Sequence, residues 1–245
     1  MAKKCIVLTA GLLLASSVFA GGEIGSIVPS CCTKVVTVSG GPAWFNARNS
    51  QTFTTPTQFS FVSRSRDHAI GSFEIFFSLQ HQLNYNLFGQ LGFAGAYSGN
   101  AKVDGHLTEN FEGSLYTYPF TYMLKHGRVS LKGALFTQCY QYLQPYVSSS
   151  IGIAFNQSYN FSAPSTLYPN LRAPVYPNNT NSGFVYTLGT GLQTLITPNL
   201  KGGIGYEFAD WGKSHLSVTS NQLVRALRLD HLYTNQVVVS LSFVA

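Results

Sequence analysis

The sequence predicts an all-β chain that crosses a membrane as an eight-stranded antiparallel up-and-down barrel. Three observations carry this. Charged residues make up 10% of the 245 residues, well under the roughly 25% of a soluble domain. No run after Ala20 resembles the roughly 20 apolar residues of a spanning helix. Eight stretches alternate bulky apolar residues with small or polar ones, the period of a strand. In lipid every backbone amide needs a partner within the protein, and only helices and closed barrels provide one.

The chain opens on Lys3 and Lys4, an apolar run from Ile6 to Phe19, and Val18-Phe19-Ala20 ahead of Gly21. This is the pattern of a secretory signal, residues 1–20. A retained anchor is the alternative, but the run is short and ends in small residues. No Cys follows the cleavage site directly, so no lipid anchor is expected there. Loss of Lys3 and Lys4 lowers the formal charge from +6 to +4. With no Lys/Arg run, that balance is no footprint of nucleic acid. Residues 21–33 are expected to form a periplasmic arm and 34–245 the barrel.

The first strand, Lys34 to Trp44, sets Val36, Val38 and Trp44 against Thr37, Ser39, Gly41 and Ala43. The second, His68 to Gln82, sets Phe73, Ile75, Phe77 and Leu79 against Ser72, Glu74, Ser78 and Gln80. The third, Leu87 to Ala101, sets Leu91, Phe93 and Tyr97 against Gln90, Gly92, Ala94 and Ala96. The fourth, Leu115 to Phe136, is irregular: Tyr118, Phe120, Tyr122 and Leu124 hold even positions, whereas Val129, Leu131 and Leu135 hold odd ones. Its phase flips near Lys125 to Gly127, which marks a bulge or the membrane border.

The fifth strand, Leu143 to Asn160, sets Val147, Ile151, Ile153 and Phe155 against Ser148, Ser150, Gly152, Ala154 and Asn156. The sixth, Gly183 to Thr197, puts Tyr186, Leu188, Leu192 and Ile196 outside and Gly189, Gly191 and Gln193 inside. The seventh, Lys201 to Ser214, opposes Ile204, Tyr206 and Phe208 to Gly203, Gly205, Glu207 and Ala209. The last, Tyr233 to Ala245, opposes Tyr233, Val237, Val239, Leu241 and Phe243 to Gln236, Val238, Ser240, Ser242 and Val244.

Short connections alternate with long ones. The long ones cover 45–67, 102–114, 161–182 and 215–231, and are expected outside the cell, with the short turns in the periplasm. Within the last, Asn221 to Leu229 could form one or two helical turns. Aromatic residues fall at both ends of the strands, as interfacial girdles do: Trp44, Tyr97, Tyr186 and Trp211 at the long-loop ends, Tyr85, Phe88, Tyr140, Tyr142, Tyr146 and Phe243 at the short-turn ends.

The signal VFA before GG, the eight alternating strands and the terminal VVVSLSFVA together resemble the small eight-stranded outer-membrane β-barrel proteins of Gram-negative bacteria. These are related in fold to the membrane domain of outer-membrane protein A. The resemblance covers Lys34 to Ala245. It implies an outer-membrane protein with both termini periplasmic, delivered by the barrel-assembly machinery. The four long loops held at the surface point to a structural or adhesin-like role rather than a catalytic one. Members usually end on an aromatic residue; here Val244 and Ala245 follow Phe243, which shifts the assembly signal by two residues.

Four charges fall on inward faces: Glu74, Arg128, Lys132 and Glu207. A narrow barrel is filled with side chains, and unpaired charge there is costly. A salt-bridged plug across the lumen is therefore expected. The resemblance adds a second reading, a narrow ion-conducting channel gated by these charges. A wide porin-like solute pore needs roughly 16 strands and is not expected.

The basic residues Arg48, Arg64, Arg66, Lys213, Arg225 and Arg228 lie in or beside the first and last long loops, which become neighbours once the barrel closes. They are candidates for gripping lipopolysaccharide phosphates. Loops rich in Asn, Ser, Thr and Pro suit contact with a host or cell-surface ligand. His215-Leu216-Ser217 has the His-x-Ser spacing of an outer-membrane lipid A deacylase, an alternative enzymatic reading, but no Glu follows Ser217 to orient the His. No cofactor, zinc spacing or phosphate loop is expected. A third rival is a soluble lipocalin-like barrel, which keeps its apolar face inside. Cys31, Cys32 and Cys139 follow the signal. A bridge from Cys31 or Cys32 to Cys139 would tether the arm to the rim; free thiols, or a bond between the neighbours, are the alternatives.

Overall fold

Alternating stretches become strands because the extended backbone presents one face to each of two environments. The computed structural model describes residues 32–46, 49–53, 58–65, 69–111, 113–138, 143–163, 176–217, 228–229 and 231–245. The expected signal 1–20 and the arm up to residue 31 lie outside them. Among the described residues eight strands form the wall: β1 (Thr33–Asn46), β4 (Ala69–Asn84), β5 (Leu87–Phe111), β6 (Ser114–Thr137), β7 (Leu143–Ser162), β8 (Asn179–Thr197), β9 (Leu200–Asp210) and β12 (Tyr233–Val244). Each pairs antiparallel with its neighbours. The seam is closed by β1 against β12, with Val38 opposite Leu241, and β5 joins β6 on the far side. Closure leaves no edge in the wall, the condition lipid imposes.

The bulky aliphatics point outward. Ile151 and Ile153 are 56% and 55% exposed, Phe73 and Phe77 47% and 52%. The interior holds buried Ser39, Ser78, Ser130, Ser150, Thr187 and Ser242. A soluble lipocalin-like barrel has the reverse arrangement, so that reading falls. An apolar exterior around a polar interior is the wall of a membrane barrel.

The connections depart from expectation. The stretch 102–114 is expected as a loop, but its residues 102–111 continue β5 and Ser114 opens β6, with Gly113 before it at φ of 82°. The 45–67 segment carries a hairpin, β2 (Asn49–Phe53) with β3 (Gln58–Ser65), and β3 pairs with the upper part of β5 from Val103 to Asn110. In the last connection β10 (Ser214–His215) pairs with β11 (Arg228–Leu229). The expected helical turns are thus replaced by strand at Arg228 and Leu229; the rest of that stretch lies outside the described residues.

The apparent phase flip in the fourth predicted strand is not geometric. Along β6 the even residues Tyr118, Phe120, Tyr122, Leu124, His126, Arg128 and Ser130 are all buried. The strand keeps one face inward throughout; the chemistry of that face changes. The neighbours do bulge at this height. Ser98 to Ala101 of β5 faces the shorter stretch His126 to Leu124 of β6. Tyr159 to Ser162 of β7 faces Met123 to Thr121, and Asn160 there has φ of 55°. Each bulge shifts the parity of its strand. In β5 the buried set passes from Ala94 and Ser98 to Ala101, Val103 and Leu107.

Beyond the bulges the interior is apolar. Phe61, Leu107, Phe120, Tyr122 and Leu124 belong to one buried cluster, and Phe120 stacks on Phe161 at 5.9 Å. The outward positions there turn polar, with Lys102 and His106 exposed. The inside and outside of the wall have exchanged chemistry, the change expected where a wall passes from lipid into water.

A cation on the lipid face tests the band directly. Ile151→Arg is expected to lower folding stability in lipid vesicles by about 2–4 kcal/mol if the site lies near the bilayer midplane, read from reversible denaturant unfolding. A loss near zero would mean that this face meets water.

Candidate functional site: the charged lumen

Neighbours of small volume make room for four large charged side chains. In register, Glu74 on β4 faces Ala96 on β5, which faces Arg128 on β6. Glu207 on β9 faces Gly189 on β8. Arg128 and Lys132 lie four residues apart, so both point inward from the same strand.

The structure brings all four together. Arg128 Nη2 donates to Glu74 Oε2 at 2.5 Å and to Glu207 Oε1 at 2.6 Å. Lys132 Nζ donates to Glu207 Oε2 at 3.1 Å and also to Glu74 Oε1. Each carboxylate thus bridges both cations, and the cluster has no net charge. It reaches across the lumen from β4 to β9. Arg128 is 4% exposed, Glu74 5% and Glu207 6%, so these charges have exchanged water for each other. Such an exchange is stable only when every partner is present.

On the long-loop side the Trp211 ring lies 5.0 Å from the Arg128 guanidinium carbon. Its indole N–H donates to Thr234 Oγ1 at 2.9 Å. His126 Nδ1 and Asn156 Oδ1 are 2.9 Å apart, and Asn156 Nδ2 donates to the carbonyls of Trp211 and Lys213. On the short-turn side is a cavity of about 60 Å³, lined by Thr37, Tyr146, Gln193 and Ser240 among others. Beneath it Lys201 Nζ lies 5.2 Å from the Phe136 ring centre, and Phe136 stacks on Phe88 at 6.2 Å.

Three residues expected in the girdles are inside instead. Trp211 is 3% exposed; it shares the odd parity of Glu207 and Ala209, which turns it inward. Tyr146 shares the even parity of Gln144 and Ser148 and lines the cavity. A Cβ at Gly205 would stand 2.3 Å from its hydroxyl, so the tyrosine needs a glycine opposite. Phe88 packs on the inward Phe136. Trp44, Tyr97, Tyr85 and Phe243 are outside.

The other candidates are less assembled. Lys213 is exposed just past β9. Arg64 and Arg228 contribute strand backbone opposite Asp104 and His215; their side chains, and all of Arg48, Arg66 and Arg225, lie outside the described residues. Cys32 is exposed and unbridged; Cys31 and Cys139, the other residues of the expected bridge, lie outside the described residues. The His215 carbonyl accepts bonds from Asn179 and Asn181. Glu207, the glutamate nearest to the His-x-Ser pair in sequence, is held by Arg128 and Lys132, and Asp210, nearer still, is 2.9 Å from His231 Nδ1. Among the described residues no group of three or more His, Cys, Asp or Glu gathers to hold a metal.

A closed eight-stranded wall, greasy outside, with paired charge across its interior, defines a membrane-spanning β-barrel. A scan of protein-family models and a search of curated proteins found no match. Among solved structures the chain is similar to Neisserial surface protein A, at 10% identity and TM-score 0.43, covering 86% of this chain and 96% of that one. It is similar to the attachment invasion locus protein Ail of Yersinia pestis, at 12% and 0.41, covering 87% and 99%. It is similar also to the outer membrane protease OmpT from Escherichia coli, at 9% and 0.49, covering 92% and 100%. No activity carries over at this level of likeness.

Removal of one cluster member leaves its partners uncompensated. Arg128→Met is expected to cost about 3–5 kcal/mol, measured by denaturant unfolding. The charge-balanced pair Lys132→Met with Glu207→Gln should cost less than that single change. Equal losses would mean that charge pairing contributes little here.

Proposed function

We propose that this chain is an outer-membrane barrel of a Gram-negative bacterium, without a catalytic role, that holds loops at the cell surface for structural or adhesive contact. The observation that carries this is the wall's continuation beyond its lipid band. There β5 and β6, with β2 and β3 beside them, form a projecting four-stranded sheet. A wall built only to span a membrane has no need of this length. In this reading the short turns and both termini are periplasmic, and the ion cluster plugs the lumen. The terminal strand is what the assembly machinery recognises. Lys213, exposed just past the end of β9, and the arginines of the first and last loops meet lipopolysaccharide phosphates.

Proteolysis of whole cells tests the orientation. Cleavage after Arg64, Arg66 or Arg172 on intact cells is the expected result. Cuts that appear only after the outer membrane is permeabilised would reverse the barrel.

The hydrolase reading is weakened by the capture of Glu207 in the ion cluster. Replacement of His215 or Ser217 by Ala is expected to leave the lipid A mass spectrum unchanged. An acyl group retained only in those variants would restore the enzyme.

A further inference from the structure

We propose that the lumen is closed twice, by two layers of opposite chemistry, and that the space below them is a blind chamber. The inference deepens the plugged-barrel reading: it adds a second closure that does not depend on charge.

The lower closure is the ion cluster. The upper one is a mainly apolar layer on its long-loop side, in which the buried His126 and Asn156 pair with each other and Asn156 bonds the Trp211 carbonyl. Ala43 of β1, Ile70 of β4, Leu124 of β6, Val185 of β8, Trp211 past β9 and Leu232 before β12 all belong to one buried cluster, none more than 8% exposed. Ala101 and Val103 of β5 and Ala154 of β7 complete the circuit at 0% exposure. Every wall strand, or the residue adjoining it, thus sends an apolar group inward. Trp211 connects the two layers, with its ring over Arg128 and its side chain within the apolar cluster. Below the charges the picture differs. Gln90, Gln193 and Ser240 keep partial exposure around the cavity of about 60 Å³.

An apolar constriction excludes water and therefore ions, whatever the state of charges elsewhere. Breaking the salt bridges then removes one barrier and leaves the other. The charges are not a gate on this barrel, because a path through them ends against Trp211 and Leu124.

Planar-bilayer recording of refolded protein tests this with three variants. The first replaces Glu74, Arg128, Lys132 and Glu207 by Ser. The second replaces Tyr122, Leu124 and Trp211 by Ser. The third combines both sets. The first two are expected to stay silent and the third to conduct. Current through either single-layer variant overturns the double closure. Silence of the combined variant also overturns it, since the closure would then lie elsewhere. Folding of each is checked by heat-modifiable gel mobility.

A milder probe covers variants that do not fold. With Cys31, Cys32 and Cys139 replaced by Ser, Ser240→Cys should react with a small water-soluble thiol reagent, whereas Leu124→Cys should not. Reaction of Leu124→Cys in folded protein, or protection of Ser240→Cys, contradicts the proposal. The display reading is scored separately by proteolysis and survives either result.

Discussion

A peptide group in hydrocarbon has no water to bond to, so the wall must satisfy every one of its own amides. The seam between β1 and β12 is where that condition is met. Ten residue pairs join the first strand to the last, from Val35 with Val244 to Asn46 with Tyr233. The two partners are almost the whole chain apart, and the loop-closure entropy of joining them is repaid only when all the intervening hairpins are in place. The inward or outward direction of each side chain follows from this closure, because a slip of one residue would turn a whole strand inside out. The ion cluster is downstream of the seam: Glu74 and Glu207 sit on β4 and β9, the strands next to β1 and β12.

The interior charges show how a narrow barrel treats polarity. Lipid forces large apolar groups outward, so serines, glycines and a few large polar residues must fill the lumen. Glu74 with Arg128 and Lys132 with Glu207 could each form a separate pair. The structure instead crosses them, so that each carboxylate touches both cations. Crossing ties β4, β6 and β9 into one bracket. The arrangement braces the wall from within, where packing of aliphatic chains is unavailable because those chains face lipid.

Much of this was legible from alternation alone. The eight predicted strands match the wall closely at most ends, since strict period-two patterning has one meaning when its bulky face meets lipid. The inward positions of Glu74, Arg128, Lys132 and Glu207 followed from parity, but their crossed bonding did not, because parity fixes the face and not the partner. The pattern failed where its premise failed. Past Ser98 the template of apolar outside and polar inside no longer applies, so Lys102, Asp104 and His106 looked like a loop although they are the outer face of a strand. Residue type alone sends Trp211 and Tyr146 to the girdles, whereas the parity of their own strands points inward. The basic loop residues carried no periodic signal to place them.

In the proposed reading, the exchange of chemistry at the bulges connects display with closure. While the wall is in lipid, its exterior is apolar and its lumen can be polar. Once it continues into water, the exterior must be polar, and the only apolar surface left to bury is inside. Eight strands enclose just enough space for side chains to fill. Phe120, Tyr122, Leu124 and their neighbours therefore form a core like that of a soluble protein, inside the same barrel that carries paired charge one layer lower. In that reading a barrel this narrow, once its strands rise above the membrane, fills its bore with the apolar side chains that water excludes. On the reading proposed above, the projecting sheet and the sealed lumen are two consequences of one wall crossing from one solvent into another.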